Sequence, residues 1–295
     1  MTPHDAALLA GAGFLAGVCN AVAGGGSLIT FPTLLATGLP PVTANVTNAV
    51  GVWPGYVGGV FAFRERLTGH GRTLLAPMIA ALIGAICGAV LLLLLPSSIF
   101  KAIVPYLILG ATGVFAAQPL ITRTLNRLTA PKAAVPVPVP VGGPVNGPGD
   151  GPGDAPGDGT GDGRSEVPAD EGAGEPALER HFIAQLIGIF LAGLYGAYFA
   201  GGLGIIILAV LMLTMTADIL LLQGMKSVLQ LGVSSVATLA FGVFGPVHWL
   251  SVLVLAPACL LGGNLGGRLS KLLKPTALRV VVTVFGVVIG VRMRL

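Results

Sequence analysis

A lysine within a long apolar stretch is the residue of greatest chemical consequence in this chain. Lys226 lies eight residues into the segment 219–244, whose other residues carry no charge. An ammonium at the centre of a membrane-crossing helix costs about 2.5–3.5 kcal/mol on insertion scales, so it is kept where it faces protein or water. Gln223, Ser227, Gln230 and Ser234 recur around it at helical spacing, making one polar stripe on an apolar helix. In the first half of the chain the positions aligned with Gln223 and Lys226 are Asn45 and Asn48, bordered by Thr43 and Thr47. One cation with several amide and hydroxyl donors is chemistry suited to a small oxyanion. A second use of the same residues stays open: Lys226 can snorkel or pair with Asp218, while the amides tie helices together.

Two glycine clusters add to this set. Ala23-Gly24-Gly25-Gly26-Ser27 precedes an apolar segment, with Ser27 placed as an N-cap. Backbone amides at a helix start, at the positive end of its dipole, attract anions. Ala200-Gly201-Gly202-Leu203-Gly204 repeats the pattern, and Asn20 precedes the first cluster. The expected substrate-binding set is Asn20, Gly25, Gly26, Ser27, Asn45, Asn48, Gly201, Gly202, Gln223, Lys226 and Gln230. The glycines could equally serve only to let hairpin turns pack closely.

Other chemistries find little support. The membrane-region acids are Asp5, Glu65 and Asp218; His4, His70, His181 and His248 all fall in loops or at segment ends. No HExxH pair and no P-loop occur, so an enzyme, a metal site, a cofactor and an ATP-driven pump are not expected. Cys19, Cys87 and Cys259 each sit in an apolar stretch and read as small core residues.

The elements that must position these residues are membrane helices. Of 295 residues, 54% are hydrophobic and 9% charged, and mean hydropathy is +0.89. Soluble domains carry roughly 25% charged residues, so the chain belongs in a bilayer, as a multi-pass protein of the cell membrane. The N-terminus lacks the basic start of a cleaved signal peptide, so the first apolar segment is expected to persist. Nine of the twelve acids lie between Thr129 and His181, leaving thirteen Lys and Arg against three acids elsewhere. That cationic remainder suits anionic lipid and a small anionic solute; nucleic acid is not an expected partner.

The chain reads as a first membrane repeat over 1–128, a linker over 129–181 and a second repeat over 182–295. The linker runs through Val-Pro and Gly-Pro-Gly-Asp repeats to an acidic tail, a composition that cannot bury enough apolar surface to order itself. The flanks echo one another: Phe14-Leu15-Ala16-Gly17 in Phe190-Leu191-Ala192-Gly193, Ala62-Phe63 in Ala240-Phe241, Ala76-Pro77 in Ala256-Pro257. Each half has one glycine-interrupted stretch and three cleaner ones: 6–38, 41–63, 73–95 and 99–122, then 182–214, 219–244, 248–267 and 277–292. The fold class is therefore all-α integral membrane, with two repeats each made of a glycine-broken hairpin plus three transmembrane helices.

Loop charge orients them. Arg64, Arg66 and Arg72 mark the first loop as cytoplasmic, and Arg123, Arg127 and Lys132 put the linker on that side. In the second half the cations come one loop later, at Arg268, Lys271 and Lys274, as inverted repeats require. Hairpins satisfy all of these loops, with Arg292 and Arg294 as the misfit; a single broken span would strand Arg268 outside. Inverted halves with interrupted helices are a recurring transporter architecture.

The run from Gly17 to Leu35, with its Ala-Gly-Gly-Gly-Ser break and Phe-Pro-Thr-Leu-Leu, resembles the opening of TauE/SafE-type membrane permeases. So do Thr43-Ala44-Asn45-Val46-Thr47-Asn48 and the stretch from Gly262 to Leu269. The resemblance implies a secondary carrier of sulfite, organosulfonates or related sulfur-containing anions, working by alternating access. The linker is longer than that family leads one to expect, and the second glycine break has Leu203 where the first has Ser27. The alternative function is a membrane scaffold or anion channel whose acidic linker binds a partner. Deleting 133–176 separates carrier from scaffold: a carrier keeps its flux in proteoliposomes, whereas a scaffold loses its bound partner in pull-down.

Overall fold

The computed structural model describes residues 1–22, 24–129, 175–199, 201–215 and 217–269. Among these residues every regular element is a helix. They are α1 (Pro3–Val22), α2 (Ser27–Ala36), α3 (Pro41–Leu67), α4 (Gly71–Leu94), α5 (Ser97–Thr129), α6 (Glu175–Tyr198), α7 (Leu203–Thr214), α8 (Ile219–Phe244) and α9 (Trp249–Leu269). Four described helices contain a span long and apolar enough to cross a bilayer: Gly71–Leu94, Ser97–Ala117, Ile219–Phe244 and Trp249–Gly266. The segment 130–174 of the expected linker and the expected last helix, 277–292, lie outside the described residues. So do Lys271, Lys274, Arg292 and Arg294.

Both glycine-broken stretches turn back on themselves. A methyl placed on Gly26 would lie 2.2 Å from the carbonyl oxygen of Ala16, so α2 returns beside α1. In the second half Gly196 packs on Leu203 and Gly188 on Val210, which makes α7 antiparallel to α6. Gly24 (φ 87°) and Gly202 (φ 78°) take the left-handed conformation at these reversals, open at low cost only to glycine.

The packing is inside-out relative to a soluble bundle. Along α4 the buried face holds Ala81, Gly84, Ala85, Gly88 and Ala89, while Leu75, Ile79, Ile83, Ile86, Val90 and Leu94 point outward. Lipid tails are as apolar as leucine, so no hydrophobic drive holds helices together; close van der Waals contact through small residues does. A methyl on Gly84 or Gly88 would sit 2.1 Å from the carbonyl oxygen of Phe190 or Leu194 on α6. One on Gly17 would sit 2.2 Å from that of Cys259 on α9.

The pairing pattern crosses the two halves. The first helix of each packs on the fourth of the other, α1 on α9 and α6 on α4. The second long helices, α3 and α8, pack on each other, with Ala49 beside Thr238, Trp53 beside Ser235 and Gly59 beside Ser227. That order runs forward in α3 and backward in α8, so the two are antiparallel. Contacts of Gly51 with Leu255, Gly55 with Cys259 and Gly58 with Gly263 make α3 and α9 parallel. Arg64 and Arg66 at the end of α3 thus share a side with Arg268 at the end of α9. Hairpins, and not single broken spans, produce this shared side.

Close contact gives a stability test. Gly17→Val and Gly88→Val should cost stability at or beyond the upper end of the roughly 1–3 kcal/mol typical of overpacking. The readout is loss of monodisperse, detergent-extracted protein. Gly11→Val, where an added methyl meets nothing within 4 Å, should behave as wild type.

Candidate functional site

The two hairpin tips meet at the centre of the bundle. A methyl on Gly24 would lie 3.0 Å from Cα of Gly204, so the two backbones are in direct contact across the halves. Phe31 of α2 and Phe199 beyond α6 add a T-shaped ring contact at 5.3 Å. Helix α5 lies against both tips, with the Phe115 ring against Gly25 and Ala111 near Gly202. Thr112, between those two on the same helix, is 1% exposed, and its hydroxyl is without a hydrogen-bond partner.

The expected N-cap role of Ser27 is corrected here. The cap position is Gly26, and Asn20 reaches across the turn so that its Oδ1 accepts from the Gly26 N–H at 2.8 Å. The N–H of Gly24 donates to Cys19 O and that of Leu28 to Gly25 O. Several amides of the first tip are thus spent inside the turn. Ser27 begins α2, with its Oγ buried and unbonded.

The three asparagines act as ties between elements. Asn45 Nδ2 donates to the carbonyl oxygen of Tyr198 at 2.9 Å, joining α3 to the end of α6. Asn48 Oδ1 accepts from the Thr30 hydroxyl of α2. Only Asn20 Nδ2 is left without a partner among these amides' buried atoms. Helix tying, one of the two uses open from the sequence, is what Asn45 and Asn48 display.

The α8 stripe behaves differently. Lys226 is 1% exposed, and its Nζ has no hydrogen-bond partner. Asp218 is exposed, and no ion pair with Lys226 occurs among the described residues. The snorkelling and pairing uses are therefore not seen. Gln223 Oε1 and Gln230 Nε2 are buried and unbonded as well. Unpaired buried polar atoms cost about 1–3 kcal/mol each, more when charged, so this concentration on one helix face is a large local expense.

Sequence reasoning missed Tyr56. On α3 its hydroxyl has Ser27, Gln230 and Ser234 as side-chain neighbours, none of them in full hydrogen-bond geometry. Its position, eight residues after Asn48, continues the same helical face, and that spacing was the available signal. Gln230 also touches the second tip: a methyl on Gly204 would lie 2.9 Å from its Oε1. The site thus joins Asn20, Gly26, Ser27, Tyr56, Gln230 and Ser234, with Lys226 one helical turn before Gln230. Gly201 and Gly202 instead line a cavity of about 210 Å³ between α5, α6 and α7, which includes Tyr106, Val114 and Tyr195 but not Lys226. The Tyr195 hydroxyl donates to Gly201 O at 2.8 Å on that wall. No cluster of metal-ligating side chains occurs among the described residues.

Bonded and unbonded groups should separate on mutation. Asn20→Leu strips the Gly26 N–H of its acceptor and should cost about 1–3 kcal/mol, read as a lower unfolding temperature in detergent. Ser27→Ala removes an oxygen with no partner and should leave that temperature unchanged or raised. An equal drop in both would make the Ser27 hydroxyl part of the frame.

Comparison with known proteins supplies the lineage. The family model described as sulfite exporter TauE/SafE matches residues 9–293. A probable membrane transporter protein of Sinorhizobium sp, ORF9, is 31% identical over 116 residues, 39% of this chain and 44% of its own. One from Haemophilus influenzae, also called a probable membrane transporter protein, is 36% identical over 109 residues, 37% of this chain and 42% of its own. The probable membrane transporter protein YfcA of Escherichia coli K12 is 28% identical over 105 residues, 36% of this chain and 39% of its own. In each match the chain spans less than half of the relative's length. No solved structure matches. With nearly its whole length matched by the family model and its helices apolar on their outer faces, the chain is a multi-pass membrane protein belonging to the sulfite exporter TauE/SafE family.

Proposed function

We propose that the chain is a secondary transporter of small anions, with sulfite, organosulfonates or a related sulfur-containing oxyanion as its solute. The observation that carries this is Lys226: a lysine 1% exposed, with no bonded partner for its Nζ, on a helix face that leads to the hairpin tips. An uncompensated buried charge costs roughly 3–5 kcal/mol when its partner is removed. An anion entering beside Nζ would supply the countercharge, and neutral donors on Gln230, Ser27 and Tyr56 would take its remaining oxygens. The family match and the names of the relatives, all probable membrane transporter proteins, favour transport over catalysis.

The helix directions support movement by alternating access. The halves repeat in sequence, and the equivalent helices α3 and α8 run antiparallel, which supports oppositely inserted repeats. Two such halves can exchange conformations, so that a central site opens to one side and then to the other. The hairpin tips, in backbone contact at Gly24 and Gly204, are the parts whose separation would expose the site.

Purified protein in proteoliposomes, offered a panel of sulfite, methanesulfonate, thiosulfate and acetate, tests the reading. Lys226→Ala should lower flux of the preferred anion at least about a hundredfold, the scale of one lost charge-assisted contact in a desolvated site. The variant should insert and remain monodisperse. Wild-type flux in Lys226→Ala, or no flux of any panel anion in the wild type, overturns it.

A further inference from the structure

Four side chains from three helices converge where the two halves touch, and three of them keep a buried polar atom without a hydrogen-bond partner. Tyr56 lies on α3, Gln230 and Ser234 on α8, and Ser27 at the start of α2. All are more than nine-tenths buried, at 4%, 2%, 7% and 3% exposure. The Tyr56 hydroxyl lies within interaction range of the other three side chains. Tyr56 Oη, Ser27 Oγ and Gln230 Nε2 have no hydrogen-bond partner. Were these groups only filling space, phenylalanine, alanine and leucine would do so without burying unbonded donors.

Their placement follows the repeat. The alignment that matches Asn48 with Lys226 also matches Tyr56 with Ser234, each eight residues further on. The two thus occupy equivalent places on antiparallel helices and face each other across the join. Each is presented from a different half of the chain. Gln230 extends the group to the second hairpin tip at Gly204, and Ser27 extends it to the first.

All four can donate a hydrogen bond, and none carries charge. The only charged group nearby on the stripe is Lys226, one turn earlier on α8. Such a division, one ammonium to one side and several neutral donors to the other, matches an ion that spreads its charge over several oxygens. A halide has no separate oxygens for such dispersed donors to share, so it meets fewer of them at full strength. We propose that Tyr56, with Ser234 opposite, is a specificity-determining residue that holds the oxygens of a pyramidal or tetrahedral oxyanion at the junction of the halves and discriminates against halides. The inference rests on the anion-carrier reading above and adds to it the residue that selects by shape.

The test uses the full chain in proteoliposomes, with sulfite as transported ion and methanesulfonate and chloride as competitors. In the wild type, methanesulfonate should compete and chloride at equal concentration should not. Tyr56→Phe should raise KM for sulfite about tenfold, the effect of one hydrogen bond to an ion, with kcat within about twofold. Chloride should become a measurable competitor. Ser234→Ala should shift KM and selectivity the same way by a few-fold, and it decides the matter alone if Tyr56→Phe does not insert. Wild-type KM and selectivity in both variants overturn the inference while leaving the carrier reading intact, as does a fall in kcat at constant KM. Absence of sulfite and methanesulfonate flux in the wild type overturns both.

Discussion

Backbone-to-backbone contact between helices is the constraint on which the arrangement depends. In a hydrocarbon surrounding, side chains gain nothing by leaving the solvent, so helices associate only where their surfaces fit without gaps. This chain meets the condition by turning its glycines and alanines inward along α4 and by placing glycines at both faces of the α1–α9 and α4–α6 contacts. The large aliphatic residues are then left for the outer surface. The same closeness lets the two hairpin tips abut at Gly24 and Gly204, bringing polar residues of both halves within reach of one point.

Within that frame the polar side chains divide into two groups by whether they are bonded. Asn20, Asn45 and Asn48 each join separate stretches of backbone or side chain, and they hold the tips and long helices in place. Lys226, Gln223, Gln230, Ser27 and Tyr56 keep buried atoms without partners, as Asn20 does at its Nδ2. The difference between equivalent positions has a local cause. Asn48 meets Thr30 of α2, whereas the residue aligned with Thr30 in the second hairpin is Ile207, which has no hydroxyl. One half thus has a closed polar contact at Asn48 and the other an open one at Lys226.

Much of this was legible in the sequence, for physical reasons that differ by element. Apolar runs of membrane length and paired glycine breaks gave the helices and the hairpins, and loop arginines favoured hairpins over broken spans. Lys226 stood out because a cation in such a run is costly. Ser27 was misread as a cap because capping rules look to the residue just before a helix, whereas the acceptor came from Asn20, six residues back across a turn. Tyr56 was passed over because an aromatic residue in a membrane helix looks like ordinary packing; only its neighbours from α2 and α8 reveal its hydroxyl as unbonded. Tertiary proximity of that kind has no signature in local spacing alone.

The crossed pairing of helices also bears on how such a chain is made. Since α1 packs mainly on α9 and α4 on α6, neither half carries the full set of surfaces that its own helices bury. When the ribosome has finished the first half and is still making the segment between them, α1 has yet to meet its partner, and the small-residue face of α4 is uncovered. The bilayer, or a chaperone within it, must hold those helices apart from strangers until α6 and then α9 arrive. Through this interlacing the two halves form one unit of biogenesis.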